Sequence, residues 1–198
     1  MANSMHLSRR SMVAGMALAA ASTLSGCSAG DGSGRGPQIG GPFALTRTDG
    51  SQFTDQDLRG KPFAIFFGFT RCPDVCPTTL SQIARLRPCL GEKADRFNVV
   101  FVSIDTGHDT PEQLGRYLEL FPMPVIGLTG REYQIASAAR NYRVMYRREP
   151  VSGGDYTMSH TAAVFLMDAQ GRFRDVITYG ATDEQALTKL QALVGPAS

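Results

Sequence analysis

The sequence predicts an α/β domain with a central mixed sheet flanked by helices, and three observations carry that prediction. Short runs rich in β-branched and aromatic residues, Phe63 to Phe69, Val99 to Ile104 and Ala162 to Met167, are nearly continuous in apolar character, as strands covered on both faces must be. Segments of helical periodicity with readable starts lie between and after them. With 198 residues and 42% of them hydrophobic, the chain has material for one good core, so a single globular domain is expected.

The N-terminal region reads as an export and anchoring device. Arg9 and Arg10 precede an apolar, small-residue run from Met12 to Leu24, the layout of an export signal. The run is too short to span a membrane comfortably as a mature helix. It stops at Leu24-Ser25-Gly26-Cys27, which resembles the lipobox of bacterial lipoproteins, where the cysteine is lipidated and becomes the new N-terminus. An ordinary signal peptide ending near a cysteine, or an uncleaved anchor, is the alternative, and each of these exports the domain. Ser8 to Val13 is also similar to a twin-arginine signal. The expected organisation is a lipoprotein signal peptide over 1–26, a lipid-anchored flexible tether over 27–42 and the folded domain over 43–198. The tether follows from its Gly, Ser, Asp and Pro content, which leaves almost nothing to bury.

Within the domain, Phe43 to Phe53 with its Asp49-Gly50 turn suits a hairpin. After the strand Phe63 to Phe69, Pro77 should open a helix whose buried stripe is Leu80, Ile83 and Leu90, with Cys76 at its cap. Cys89 on that helix is expected as a buried small hydrophobe. Thr110 to Gln113, Thr129 to Glu132 and Thr182 to Gln185 each place a Thr three residues before Glu or Gln, so three capping boxes mark three helices. Leu114, Tyr117, Leu118 and Phe121 form the core stripe of the second. The strands Ala162 to Met167 and Phe173 to Thr178 are joined by a tight turn at Asp168 to Gly171, and Gly195-Pro196 ends the last helix. Strand, helix, strand, helix, hairpin and helix is a thioredoxin-type order.

A formal net charge of +2, spread without a basic stripe, argues against nucleic acid as a partner. With Cys27 assigned to lipid, Cys72, Cys76 and Cys89 remain, and an odd number in an oxidising compartment argues against a purely structural disulfide framework.

The chemistry concentrates at Phe69-Thr-Arg-Cys72-Pro-Asp-Val-Cys76-Pro77, between an apolar strand and a helix. The positive end of the helix dipole favours an anion, so at least one thiol there should be stabilised as thiolate, the form that attacks disulfides and binds soft metals. Three intervening residues leave a wider bite than the two usual in redox enzymes of this fold. Of His108 and His160, the latter precedes the strand Ala162 to Met167, whose start should adjoin the cysteine loop. Two thiolates and one imidazole suit copper in either oxidation state, whereas a structural zinc site would want a fourth protein ligand. Asp74 is a candidate weak ligand and equally a solvated loop residue, whereas Met158, which could add a thioether, reads first as an apolar hairpin residue. His108 is expected on the surface. Asp105 and Asp109 are expected as solvated helix-capping residues that could support the site from behind.

These residues bring a family resemblance with them. Gly68 to Pro77, Ser103-Ile-Asp105 with Asp109-Thr-Pro111, Gly130, Tyr142-Arg-Val144, and His160-Thr161 followed by Asp168 and Gly171 resemble the Sco/SenC family of copper chaperones for cytochrome c oxidase assembly, from Phe43 to the final helix. The resemblance implies copper held by Cys72, Cys76 and His160 and delivered to the dinuclear site of oxidase subunit II or to another copper-receiving protein. It also implies a possible enzymatic use of Cys72 and Cys76 as a redox pair reducing partner cysteines; a redox or copper sensor is the further alternative. The implied location is a bacterial membrane, with the domain facing the periplasm or outside. Ser159 departs from the acidic residue often found before the ligand histidine. Thr106 replaces the usual Pro, and His108 is likewise unusual at its position.

Overall fold

The computed structural model describes Met1 and residues 38–195. The expected signal peptide, the Cys27 lipidation site, most of the tether and Pro196 lie outside the described residues.

Residues 38–195 form a seven-stranded mixed sheet with helices packed on it, as expected. In chain order the elements are β1 (Ala44–Arg47), β2 (Gln52–Thr54), β3 (Phe63–Gly68), α1 (Val75–Leu86), β4 (Asn98–Ser103), α2 (Pro111–Leu118), β5 (Ile126–Thr129), α3 (Glu132–Asn141), β6 (Tyr146–Pro150), β7 (Tyr156–His160), β8 (Ala163–Met167), β9 (Phe173–Thr178) and α4 (Asp183–Val194). The main sheet runs β2-β1-β5-β4-β3-β8-β9, and β6 and β7 make a separate two-stranded ribbon. β3, β4 and β5 are parallel, while β1, β8 and β9 pair antiparallel to their neighbours. All six residues of β3 are buried, which accounts for the absence of polar alternation in Phe-Ala-Ile-Phe-Phe-Gly. Its register sets Phe66 opposite Phe101 and Gly68 opposite Ser103, so β3 and β4 end together at the edge where the site lies.

The turn chemistry holds where it is local. Asp49 Oδ1 accepts from the Ser51 amide at 2.8 Å while Gly50 takes φ +82°, closing the first hairpin. The capping boxes at Thr110 and Thr182 form, with each hydroxyl accepting from the amide three residues on.

Three local expectations are corrected. The Thr129 box does not form, because Thr129 is the last residue of β5 and its hydroxyl donates to the Asp109 carbonyl at 3.2 Å. The following helix starts at Glu132, with the Gln134 side chain accepting from the Arg131 amide instead. The first helix begins at Val75 rather than Pro77, with Asp74 as its cap, so Cys76 lies inside the first turn. That helix ends at Leu86 and gives way to a 3-10 segment, Arg87–Arg96, in which Cys89 is exposed rather than buried. Pro88 removes the amide that would have continued the α-helical pattern. Among the described residues no helix is long and apolar enough to cross a membrane.

Candidate metal centre

Cys72, Cys76 and His160 converge. One donor atom from each lies within 4.8 Å of the others, and this is the one such group of three His, Cys, Asp or Glu side chains among the described residues. The thiols come from the β3–α1 connection, and the imidazole from the end of β7, where the chain turns to enter β8.

Hydrogen bonding between the two thiols, aided by the helix start, drives their acidities apart. The Cys76 amide, free at the start of α1, donates to Cys72 Sγ at 3.4 Å. The Cys76 thiol, the His160 ring and the amides of Cys76 and Asp74 pull the Cys72 thiol down to about 4, against the cost of its burial. Cys76, fully buried, is pushed up by its hydrogen bond to Cys72 and by burial. The direction of both shifts places the more acidic thiol of the pair at Cys72.

Cys76 reaches this position because Gly68 has no side chain. A Cβ at Gly68 would sit 2.7 Å from Cys76 Sγ and 2.9 Å from the Phe101 ring. His160 is oriented from both sides. Its Nδ1 donates to the Thr161 carbonyl oxygen at 3.1 Å, which turns Nε2 toward the thiols, 3.6 Å from Cys76 Sγ. The rings of Phe66 and Phe69 stand edge-on to the imidazole, each at 5.9 Å. Two sulfurs and an imidazole nitrogen fit a soft or borderline metal ion.

Asp105 and Asp109 are buried, at 0% and 3% exposure, and this corrects their reading as solvated caps. Asp109 accepts from the Thr70 amide at 2.9 Å, the Thr70 hydroxyl at 2.6 Å and the Ser103 hydroxyl at 2.5 Å, fastening the cysteine loop to the end of β4. Asp105 accepts from the Tyr156 hydroxyl at 2.5 Å, and His108 Nδ1 lies 3.2 Å from its other oxygen. His108 is thus a member of a polar cluster rather than a free surface residue. The sequence reading missed Arg71, Tyr156 and Asp155 as parts of that cluster, although Arg71 stood within the motif. Asp74 is exposed and engaged with the Thr78 and Tyr179 hydroxyls. Met158 packs into the core, as its apolar reading had it. Ser159 is exposed opposite Arg147.

The SCO1/SenC family model matches residues 31–195. The chain belongs to the SCO1/SenC family. Among its relatives it is similar to protein SCO1 homolog 1 of Arabidopsis thaliana, with 40% identity over 68% of this chain and 41% of the relative, so the chain spans well under two thirds of that relative's length. It is also similar to protein SenC of Rhodobacter capsulatus, with 36% identity over 80% of this chain and 71% of the relative. Among solved structures, Bradyrhizobium japonicum ScoI with copper bound superimposes with a TM-score of 0.70, 45% identity, and coverage of 77% of this chain and 97% of that one. The SCO1/SenC fold accounts for the thioredoxin-type order read from the sequence.

Proposed function

We propose that this SCO1/SenC protein binds copper through Cys72, Cys76 and His160 and carries it to a copper-receiving protein, the dinuclear centre of cytochrome c oxidase subunit II being the expected destination. The convergence of two thiols and an imidazole within 4.8 Å carries the reading, and the copper-bound state of the similar ScoI supports it. In the same proposal, Cys27 carries lipid and 28–42 is the tether that lets the exported domain reach its partner from a membrane surface. Copper is cargo here, so the site needs soft ligands that hold Cu(I) yet can be exchanged one at a time.

A second reading is favoured by the asymmetry of the thiols. Cys72 as thiolate can attack a partner disulfide, giving a mixed disulfide and a partner thiolate. Cys76 then attacks Cys72, closing an intramolecular disulfide and releasing the second partner thiol.

The test loads the purified, reduced chain anaerobically with Cu(I). One copper per chain is expected, with binding lost or greatly weakened in Cys72→Ser, Cys76→Ser and His160→Ala. A chain that binds no copper above background yet reduces disulfides catalytically overturns the first reading in favour of the second.

A further inference from the structure

His160 is carried by the β6–β7 ribbon, which is separate from the seven-stranded sheet. Tyr156, Met158 and His160 alternate onto one face of β7. Met158 anchors the middle of that face in the core, and Tyr156 anchors its far end to the loop ahead of Cys72.

The far-end attachment is dense. Arg71 Nη1 donates to Asp155 Oδ2 at 2.8 Å, and its Nη2 donates to the Tyr156 carbonyl at 3.0 Å and reaches Asp105 Oδ2 at 3.5 Å. The guanidinium groups of Arg71 and Arg148 lie 5.1 Å and 4.9 Å from the centre of the Tyr156 ring. The Tyr156 hydroxyl donates to Asp105 and lies 2.7 Å from His108 Nδ1. Gly107 makes room for it, since a Cβ there would fall 2.6 Å from the hydroxyl oxygen. Asp105 is wholly buried, so the donors around its carboxylate offset a large desolvation cost. None of these contacts involves a sulfur or the His160 ring.

We propose that Arg71 and Tyr156 are positioning residues that latch the β6–β7 ribbon to the thiol loop, with Asp105 as their buried anchor, and thereby hold His160 Nε2 at bonding distance from a metal on Cys72 and Cys76. This rests on the reading of His160 as the third ligand. Four residue steps of about 3.3 Å separate the latch from the imidazole. With Met158 fixed midway, two of those steps form the lever, and a tilt of roughly 10° on release of the latch moves the ring by about 1 Å, well beyond the roughly 0.2 Å tolerance of a metal–ligand bond.

The experiment uses the purified full chain. Cu(I) affinity is measured by competition with a chelator, and the paramagnetic resonance spectrum is recorded with Cu(II). Wild type, Tyr156→Phe, Asp155→Asn, His160→Ala and the two doubles with His160→Ala are compared. Tyr156→Phe keeps the ring between its two guanidinium groups and removes only the hydroxyl. It is expected to weaken Cu(I) binding about tenfold and to diminish the nitrogen coupling in the Cu(II) spectrum. Asp155→Asn, at the exposed arm of the latch, is expected to weaken binding about threefold. In the His160→Ala background neither substitution should weaken binding further, because the position it secures is gone. Equal weakening with and without His160 overturns the proposal, since the cluster then acts on the thiols or on the fold as a whole. Wild-type affinity and spectrum in both single variants overturn it as well. Wild-type binding by His160→Ala instead removes the ligand reading beneath it, an outcome read independently of the Tyr156 and Asp155 variants.

Discussion

Replacing Gly68 by alanine tests how tightly the floor beneath the thiols is built. The new Cβ would lie 2.7 Å from Cys76 Sγ and 2.9 Å from Cε2 and Cζ of Phe101, where ordinary contacts are about 3.5–4.0 Å. Phe101 has no room to retreat: it is fully buried, edge-on to Phe66 at 5.9 Å and tilted against Tyr117 at 5.8 Å. Phe101 therefore cannot absorb the strain alone, and the sulfur, the nearer of the two contacts, must withdraw by about 1 Å, several times the roughly 0.2 Å latitude of a metal–thiolate bond. Overpacking of this kind costs about 1–3 kcal/mol, which for a domain of this size lowers the thermal midpoint by roughly 2–10 °C. Copper affinity should fall about tenfold or more. Thermal denaturation of the metal-free chain and chelator competition for Cu(I) read the two effects separately. If the midpoint falls while copper affinity stays at the wild-type value, the ring and not the sulfur has moved, and the reasoning is refuted. Phe101→Leu added to Gly68→Ala should recover part of both losses.

Two further outcomes follow from buried groups near the site. In the reduced, metal-free chain Cys72 is held near 4 against an ordinary 9.0, so between those values the unfolded chain binds one more proton than the folded one at this residue. Its contribution to stability is therefore present above about pH 9, shrinks as pH falls, and is gone below about pH 4. Urea midpoints for wild type and Cys72→Ser should converge on acidification, and curves that stay parallel from pH 5 to 8.5 would sink the assignment. Asp109→Ala leaves the Thr70 amide and the Thr70 and Ser103 hydroxyls without their buried acceptor. A loss of about 2–4 kcal/mol is expected, seen as a thermal midpoint lower by roughly 5–15 °C, and a change under 2 °C would contradict it.

Features governed by neighbouring residues were legible in the sequence, and those governed by distant ones were not. β3, β4 and β8 announce themselves because burial on both faces leaves an uninterrupted apolar run, and the thiol pair because Pro77 and the preceding strand frame it. β5 was missed: four residues, Ile-Gly-Leu-Thr, are too short to show a period. β6, Tyr-Arg-Arg-Glu-Pro, has no apolar alternation because its ribbon lies outside the main sheet and is largely exposed. The Thr129 pattern met every local condition for a cap and failed because Asp109, twenty residues earlier, offers its carbonyl to the hydroxyl. The burial of Asp105 and Asp109 likewise depends on partners 51 and 39 residues away in sequence, respectively. His160 was placed correctly because the thioredoxin-type order fixes which strand ends meet, whereas the cluster behind it rests on side-chain reach that no spacing rule encodes.

If the domain hands copper on as proposed, the unequal burial of Cys72 and Cys76 would give that transfer a direction. Cys76 is sealed at 0% exposure beneath Gly68 and Phe101, whereas Cys72 keeps 9%. In the proposed transfer an acceptor's incoming ligand would approach from the side of Cys72, the less deeply buried of the two cysteines. On that proposal the Cys76 bond would be the last to break, with the acceptor already holding the ion before this tie is released.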